Sequence, residues 1–262
     1  MVALPKDGFL SYCGSGRSSA GNTGTDAVGI SCTAAHRFRI PGDLTLLNLE
    51  SVAFQYPRTS TTYSFSLQAC AGTVTAITGK SGCGKSTLLD LIAGFQQISS
   101  GEIYWQDQPV SSLAPAARPV TTVFQRNNLF EHRNAIDNVI VGINTSIPSA
   151  GKDYDAAVEA LSVVGLAGFE KNRASQLSGG QQQRVAIARA LARAKADKAP
   201  LIQFDEPFSA LDQDTREQML SLVRSLATIH QCAILMVTHN IADCDAIADK
   251  RYEIRDGSLF PV

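Results

Sequence analysis

The stretch Gly79-Lys80-Ser81-Gly82-Cys83-Gly84-Lys85-Ser86 has the spacing G-x-x-x-x-G-K-[ST], and Thr87 follows it. Glycines at these positions let a backbone turn with its N–H groups pointing inward, where they can cradle phosphate oxygens. A helix opening at Lys85 would aim its positive end at the same anion. Lys85 would add a mobile positive charge for the β- and γ-phosphates, and the Ser86 hydroxyl suits Mg²⁺. A chance Gly-rich turn before a helix is the bland alternative. It is disfavoured because "TVTAIT", a β-rich run, leads in and "KSTLLDLIAGF", a helical stripe, leads out.

A second group sits in "LIQFDEP", where Asp205 and Glu206 follow an apolar run. In parallel sheets, ligand chemistry collects at the carboxyl ends of strands. Asp205 fits a Mg²⁺-linked role, and Glu206 fits a general base that orients an attacking water. Two acids at a strand end are by default solvated, and only the phosphate loop gives this pair a purpose. Gln203 is out of character in such a strand. A buried amide needs partners, so either the strand lies near an edge or Gln203 pairs with a neighbour.

The elements needed to position these groups are legible around them. "LTLLNLESVAFQY" and "YSFSLQA" read as strands, "SGEIYWQDQPV" as a hairpin, and "DYDAAVEALSVVGL" and "GGQQQRVAIARALARAKA" as helices. Strand "LIQF", helix "REQMLSLVRSLATIH", strand "AILMVTH", helix "NIADCDAIAD" and hairpin "KRYEIRDGSLFPV" follow. Alternating strands and helices predict an α/β fold with a mostly parallel core sheet, and the early strands predict an antiparallel β layer beside it. Residues 1–43 are rich in Gly, Ser, Thr and Ala without a period, and are expected to form a disordered extension. The ordered domain is expected over 44–262.

Composition bounds the partners. The 262 residues are 44% apolar with a net charge of −1, which gives no electrostatic pull toward nucleic acid. No apolar run approaches the ~18 residues of a membrane-spanning helix, so a membrane role would pass through a partner. The N-terminal stretch lacks the apolar core and cleavage site of a signal peptide. Cys13, Cys32, Cys70, Cys83, Cys232 and Cys244 form no C-x-x-C pair and have no zinc-ligand spacing. They are expected to be free thiols in a reducing compartment.

"QLSGGQQQRVAIARAL", Gln176 to Leu191, resembles the signature motif of the ABC-transporter ATPases, here Leu177-Ser178-Gly179-Gly180-Gln181. A capped helix N-terminus is locally an equally good reading, but it leaves unexplained why phosphate loop, signature and acid pair come in this order. The resemblance covers about residues 44–262. It implies a P-loop ABC cassette with a helical signature subdomain at about 126–190, binding ATP and Mg²⁺. It implies a second ATPase subunit whose signature reaches the γ-phosphate in trans. It also implies Gln125 as the loop glutamine at Mg²⁺, and Ser209-Ala210-Leu211-Asp212 as a loop crossing the dimer interface. His239 would be the switch histidine at the γ-phosphate, although a lone His at a strand end is more often structural. Tyr56 would stack on adenine, with Phe54 as its rival.

Within that family, "LIAGF", "RPVTTVFQRNNLFEH" and "DEPFSALD" are similar to the ATP-binding subunits of bacterial thiamine importers. This implies transmembrane permease subunits as partners, with "FQRNNLFEH" in the docking region. It implies a periplasmic solute-binding protein as an indirect partner, and residence on the cytoplasmic face of the inner membrane. Importers of ferric iron, polyamines or inorganic anions, and exporter or lipoprotein-release systems, are the alternatives.

Overall fold

The computed structural model describes residues 44–125, 129–144, 146, 150–196, 201–209 and 211–262. The expected extension over 1–43 therefore lies outside the described residues, as do Arg126–Asn128 and Ala210.

The strands form one ten-stranded sheet in the order β5-β4-β1-β2-β10-β9-β3-β8-β7-β6. The antiparallel half holds β1 (Thr45–Gln55), β2 (Thr62–Cys70), β4 (Ser100–Trp105) and β5 (Gln108–Pro109). The parallel half holds β3 (Val74–Thr78), β6 (Val120–Val123), β7 (Leu201–Asp205), β8 (Ala233–Val237) and β9 (Lys250–Arg255). β10 (Ser258–Pro261) pairs antiparallel with β9 and touches β2 at one parallel position, Ser258 against Ser64. The expected β layer is thus the other half of the same sheet, joined at that position.

Alternation along the central strands divides the core. Ala233, Leu235 and Val237 of β8 pack with Leu88, Leu91 and Ile92 of α1 (Lys85–Ala93). Ile234 and Met236 point the other way, into the layer of α2 (Ala135–Ile140), α3 (Lys152–Val163), α4 (Gly179–Lys195) and α5 (Gln213–His230). α6 (Ile241–Ile247) follows β8. Strands buried on both faces are near-continuously apolar, as "AILMV" is.

Two elements, β6 and α2, have no counterpart among the elements expected from the sequence. Both are short, four and six residues, which leaves less than two turns or two alternations to detect. Gln203 lies on β7, between β6 and β8, so it is not at an edge; it pairs with a neighbour, accepting from Thr122 Oγ1 at 3.1 Å.

α1 is held at both ends. Its N-terminus has Gly84 at φ 114° and no side-chain cap, so its first amides are open to an anion. At its other end the buried Arg118 donates to the carbonyls of Leu91 and Ile92, 2.8 Å each. Gly94 is required there: a Cβ would lie 2.6 Å from Arg118 Nε.

Candidate nucleotide site

β3 ends at Thr78 and α1 begins at Lys85, so the loop between them opens at the carboxyl edge of the parallel strands. A cavity of about 370 Å³ lies over it. Its walls are Gly79, Ser81, Gly82 and Gly84 to Thr87 from the loop and α1, with Gln125, Asp205, Glu206 and His239 from three other strand ends. Groups separated by as much as 160 positions in sequence thus meet at one place, as the strand-end rule requires.

Lys85 Nζ donates to the carbonyls of Gly79 (2.8 Å) and Lys80 (3.0 Å), which leaves one of its three donors for a phosphate. Cys83 is half-buried beside Gly79 and lines the outer side of the loop instead of the cavity. Gly84 has Tyr63 packed against it, so close that a Cβ would lie 2.5 Å from the ring.

Ser86 Oγ donates to Asp205 Oδ2 at 3.2 Å. Burial pushes the Asp205 carboxyl upward from its ordinary pKa, and the charge of Glu206 adds to this; Ser86 and Lys85 only partly offset it. A half-buried carboxylate short of positive charge, flanked by a hydroxyl, is an oxygen donor set suited to a hard cation such as Mg²⁺. Among the described residues, no group of three or more His, Cys, Asp or Glu is placed to hold a metal ion by itself.

Glu206 is gripped on both carboxylate oxygens. Gln125 Nε2 donates to Oε2 at 3.1 Å, and His239 Nδ1 lies 3.1 Å from Oε1. With its nitrogen committed to Glu206, the Gln125 amide oxygen remains available to a cation. Gln183, buried in α4, reaches the Glu206 carbonyl at 3.4 Å. Gln183, Tyr63 and the Arg118 cap are not singled out by sequence reasoning. The one hint for Gln183 is a run of three glutamines on a helix with a buried face.

Of the two aromatic candidates, Phe54 is buried. Tyr56 is half-buried, edge-on to Phe54 at 4.7 Å, and shares a 3.2 Å hydrogen bond with Thr87 Oγ1. The Tyr56 ring therefore adjoins the first turn of α1, although it does not line the cavity. Leu177 is buried in the core, and Ser178 caps α4 in a reciprocal pair with Gln181 (Oγ from Gln181 N, 3.3 Å; Ser178 N to Oε1, 2.9 Å). Ser209 Oγ donates to the Glu206 carbonyl at 3.2 Å, and Asp212 caps α5 through Thr215 N at 2.9 Å. No signature residue, 177–181, lines the cavity.

The profile described as ABC transporter matches residues 63–209. The chain belongs to the ABC transporter family. It is 40% identical over 214 residues to the thiamine import ATP-binding protein ThiQ of Vibrio cholerae, covering 82% of this chain and 87% of that one. It is 38% identical over 220 residues to the protein of the same name from Chelativorans sp., covering 84% and 87%. A solved dimeric ATP-binding cassette in a post-hydrolysis state, bound to ADP and Pi, superposes with a TM-score of 0.72 at 30% identity. That match covers 82% of this chain and 96% of the other. As an ABC-family ATPase, the chain has the cassette fold expected from its sequence.

Proposed function

We propose that the chain is the ATP-hydrolysing subunit of a thiamine importer, working as one of two copies that close head to tail over two ATP molecules. One observation carries the reading. The cavity gathers the phosphate loop, Asp205, Glu206 and His239, yet no signature residue of the same chain lines it. Ser178 can still donate its hydroxyl proton, because within its cap it acts as an acceptor. Gly179 faces open space, with nothing within 4 Å of where a Cβ would stand. Both support a surface that completes a partner's site. Residues 44–262 are the cassette in this reading, and α2–α4 its helical signature subdomain.

The chemistry follows from the positions. Backbone amides of Gly79–Ser86 and the third donor of Lys85 hold the triphosphate. Ser86, Asp205 and the Gln125 amide oxygen would hold Mg²⁺, which when bound offsets charge on the phosphate oxygens. Glu206 turns a water toward the γ-phosphorus and takes its proton as the bond to the β,γ-bridging oxygen breaks. His239 steadies the Glu206 carboxylate and can reach the γ-phosphate as the dimer closes.

Beside the site, Phe95, Phe124 and Phe130 border a groove of about 280 Å³ with Thr122, Arg189 and Arg193. All three rings are at least one-third exposed. We assign this groove to a cytoplasmic helix of the permease. No helix among the described residues is long and apolar enough to cross a membrane, so the chain would join the inner membrane's cytoplasmic face through that contact. Thiamine as cargo is supported by the relatives' assigned transport.

Uptake of labelled thiamine tests the reading. Deleting the gene should abolish high-affinity uptake, wild type should restore it, and Glu206→Gln should not. Undiminished thiamine uptake in the deletion strain would remove the cargo assignment.

A further inference from the structure

β7 reads Leu201-Ile202-Gln203-Phe204-Asp205, and Gln203 is the one amide in a strand that is otherwise apolar up to its terminal acid. It is fully buried. Its Oε1 accepts from Thr122 Oγ1 at 3.1 Å, while its Nε2 has no partner among the described residues. Leaving a buried donor unmet costs stability, and leucine would fill the position without that cost. Retained exceptions of this kind gather where function demands them.

The position of the amide suggests what it does. Ile202 and Phe204 pack into the helical layer of α2–α5, whereas Leu201 packs with α1. By alternation Gln203 faces α1, on the same side as Asp205 two residues later. Thr122 is its directly opposed partner on β6. Three residues after Thr122 comes Gln125. The side-chain bond therefore ties together the strands that deliver two of the three groups assigned to Mg²⁺, Asp205 and Gln125. Thr122 also lines the groove of Phe95, Phe124 and Phe130, so the tie runs from that groove to the metal-binding strand.

We propose that Gln203 is a positioning residue: through Thr122 it sets the spacing of Asp205 and Gln125, and so the protein's affinity for nucleotide-bound Mg²⁺. Because this rests on the assignment of Asp205 to the metal, the two are tested side by side. Calorimetric titration with ADP, with and without Mg²⁺, gives the factor by which Mg²⁺ tightens binding. Asp205→Asn should abolish that factor. Gln203→Leu and Thr122→Val should each reduce it about tenfold, the scale of lost supporting contacts at metal sites. Affinity for ADP without Mg²⁺ should not change. The double variant should be no worse than either single one, since both break the same bond, and Thr122→Ser should behave as wild type. Gln203→Leu should melt no lower than wild type, which separates positioning from general loosening. If Gln203→Leu fails to fold, Thr122→Val decides alone, because it exchanges only a hydroxyl for a methyl. An undiminished Mg²⁺ factor in Thr122→Val, with Asp205→Asn deficient, overturns the positioning role and leaves the metal assignment standing. An undiminished factor in Asp205→Asn overturns both.

Discussion

Glu206 adopts φ 48°, a left-handed conformation that costs a residue with a Cβ roughly 1–2 kcal/mol. The surroundings impose it. Its N–H donates to the Val237 carbonyl at 2.9 Å, and its own carbonyl accepts from Ser209 N, Ser209 Oγ and Gln183 Nε2. The backbone is thus pinned while the carboxylate is shared between Gln125 and His239, one on each oxygen, which leaves each oxygen a further lone pair for a water. Glu206→Gln keeps the shape and removes the basicity. Turnover should fall about 10²–10⁴-fold, the usual worth of a positioned acid–base group. Phosphate release measures the loss, while calorimetric affinity for ADP, which lacks the γ-phosphate, should stay within about twofold. Near-normal hydrolysis would remove Glu206 as the base. The meeting of Glu206 with the phosphate loop was legible from "LIQFDEP", because an acid pair after an apolar run has few uses beside such a loop. The residue's strain was not, since the donors that hold the carbonyl come from α4 and from Ser209, and no local pattern encodes them.

At the scale of elements, α1 is the part that must not shift, because Lys85 and Ser86 ride on its first turn. Arg118 fixes its far end with donations to Leu91 O, Ile92 O, Leu113 O (3.1 Å) and Ser111 O (2.7 Å). Helix ends leave carbonyls without internal partners, and here one buried guanidinium serves two from the helix and two from the chain before β6. Arg118→Met, similar in length but without donors, should cost about 2–4 kcal/mol, because charged hydrogen bonds are lost and the carbonyls are left buried. Thermal melting should drop by about 5–10 °C for a domain of this size. Arg118→Lys should rescue little of it, since one ammonium cannot span four acceptors in a fork; wild-type melting of that variant would show that charge alone suffices. Strands and longer helices were readable, "AILMV" as a short, wholly apolar run and "REQMLSLVRSLATIH" from its helical period. Arg118 was not, because its partners are backbone carbonyls, which every sequence carries everywhere. β6 escaped for a related reason: "VTTV" is too short to show a period, and it earns its strand by pairing with β7.

At the scale of the whole molecule, the open question is what completes the cavity. The signature lies at the start of α4, capped and facing open space at Gly179, while the phosphate loop lies at the start of α1 in a cavity that no signature residue lines. In a two-fold dimer each surface meets the other's counterpart, so one contact type closes both sites together. A non-hydrolysing chain should therefore be trapped closed by its own substrate. Glu206→Gln with MgATP should elute and scatter light as a species of about 56 kDa, twice the 27.9 kDa of one chain, and as a monomer without nucleotide. Adding Ser178→Arg places a long side chain where the partner's phosphate should sit. The combined variant should remain monomeric with MgATP, yet still bind ATP as a monomer, because its own phosphate loop is untouched. A dimer that survives Ser178→Arg would separate the signature from the interface. Loss of ATP binding by the monomeric double variant would instead put Ser178 at its own chain's nucleotide.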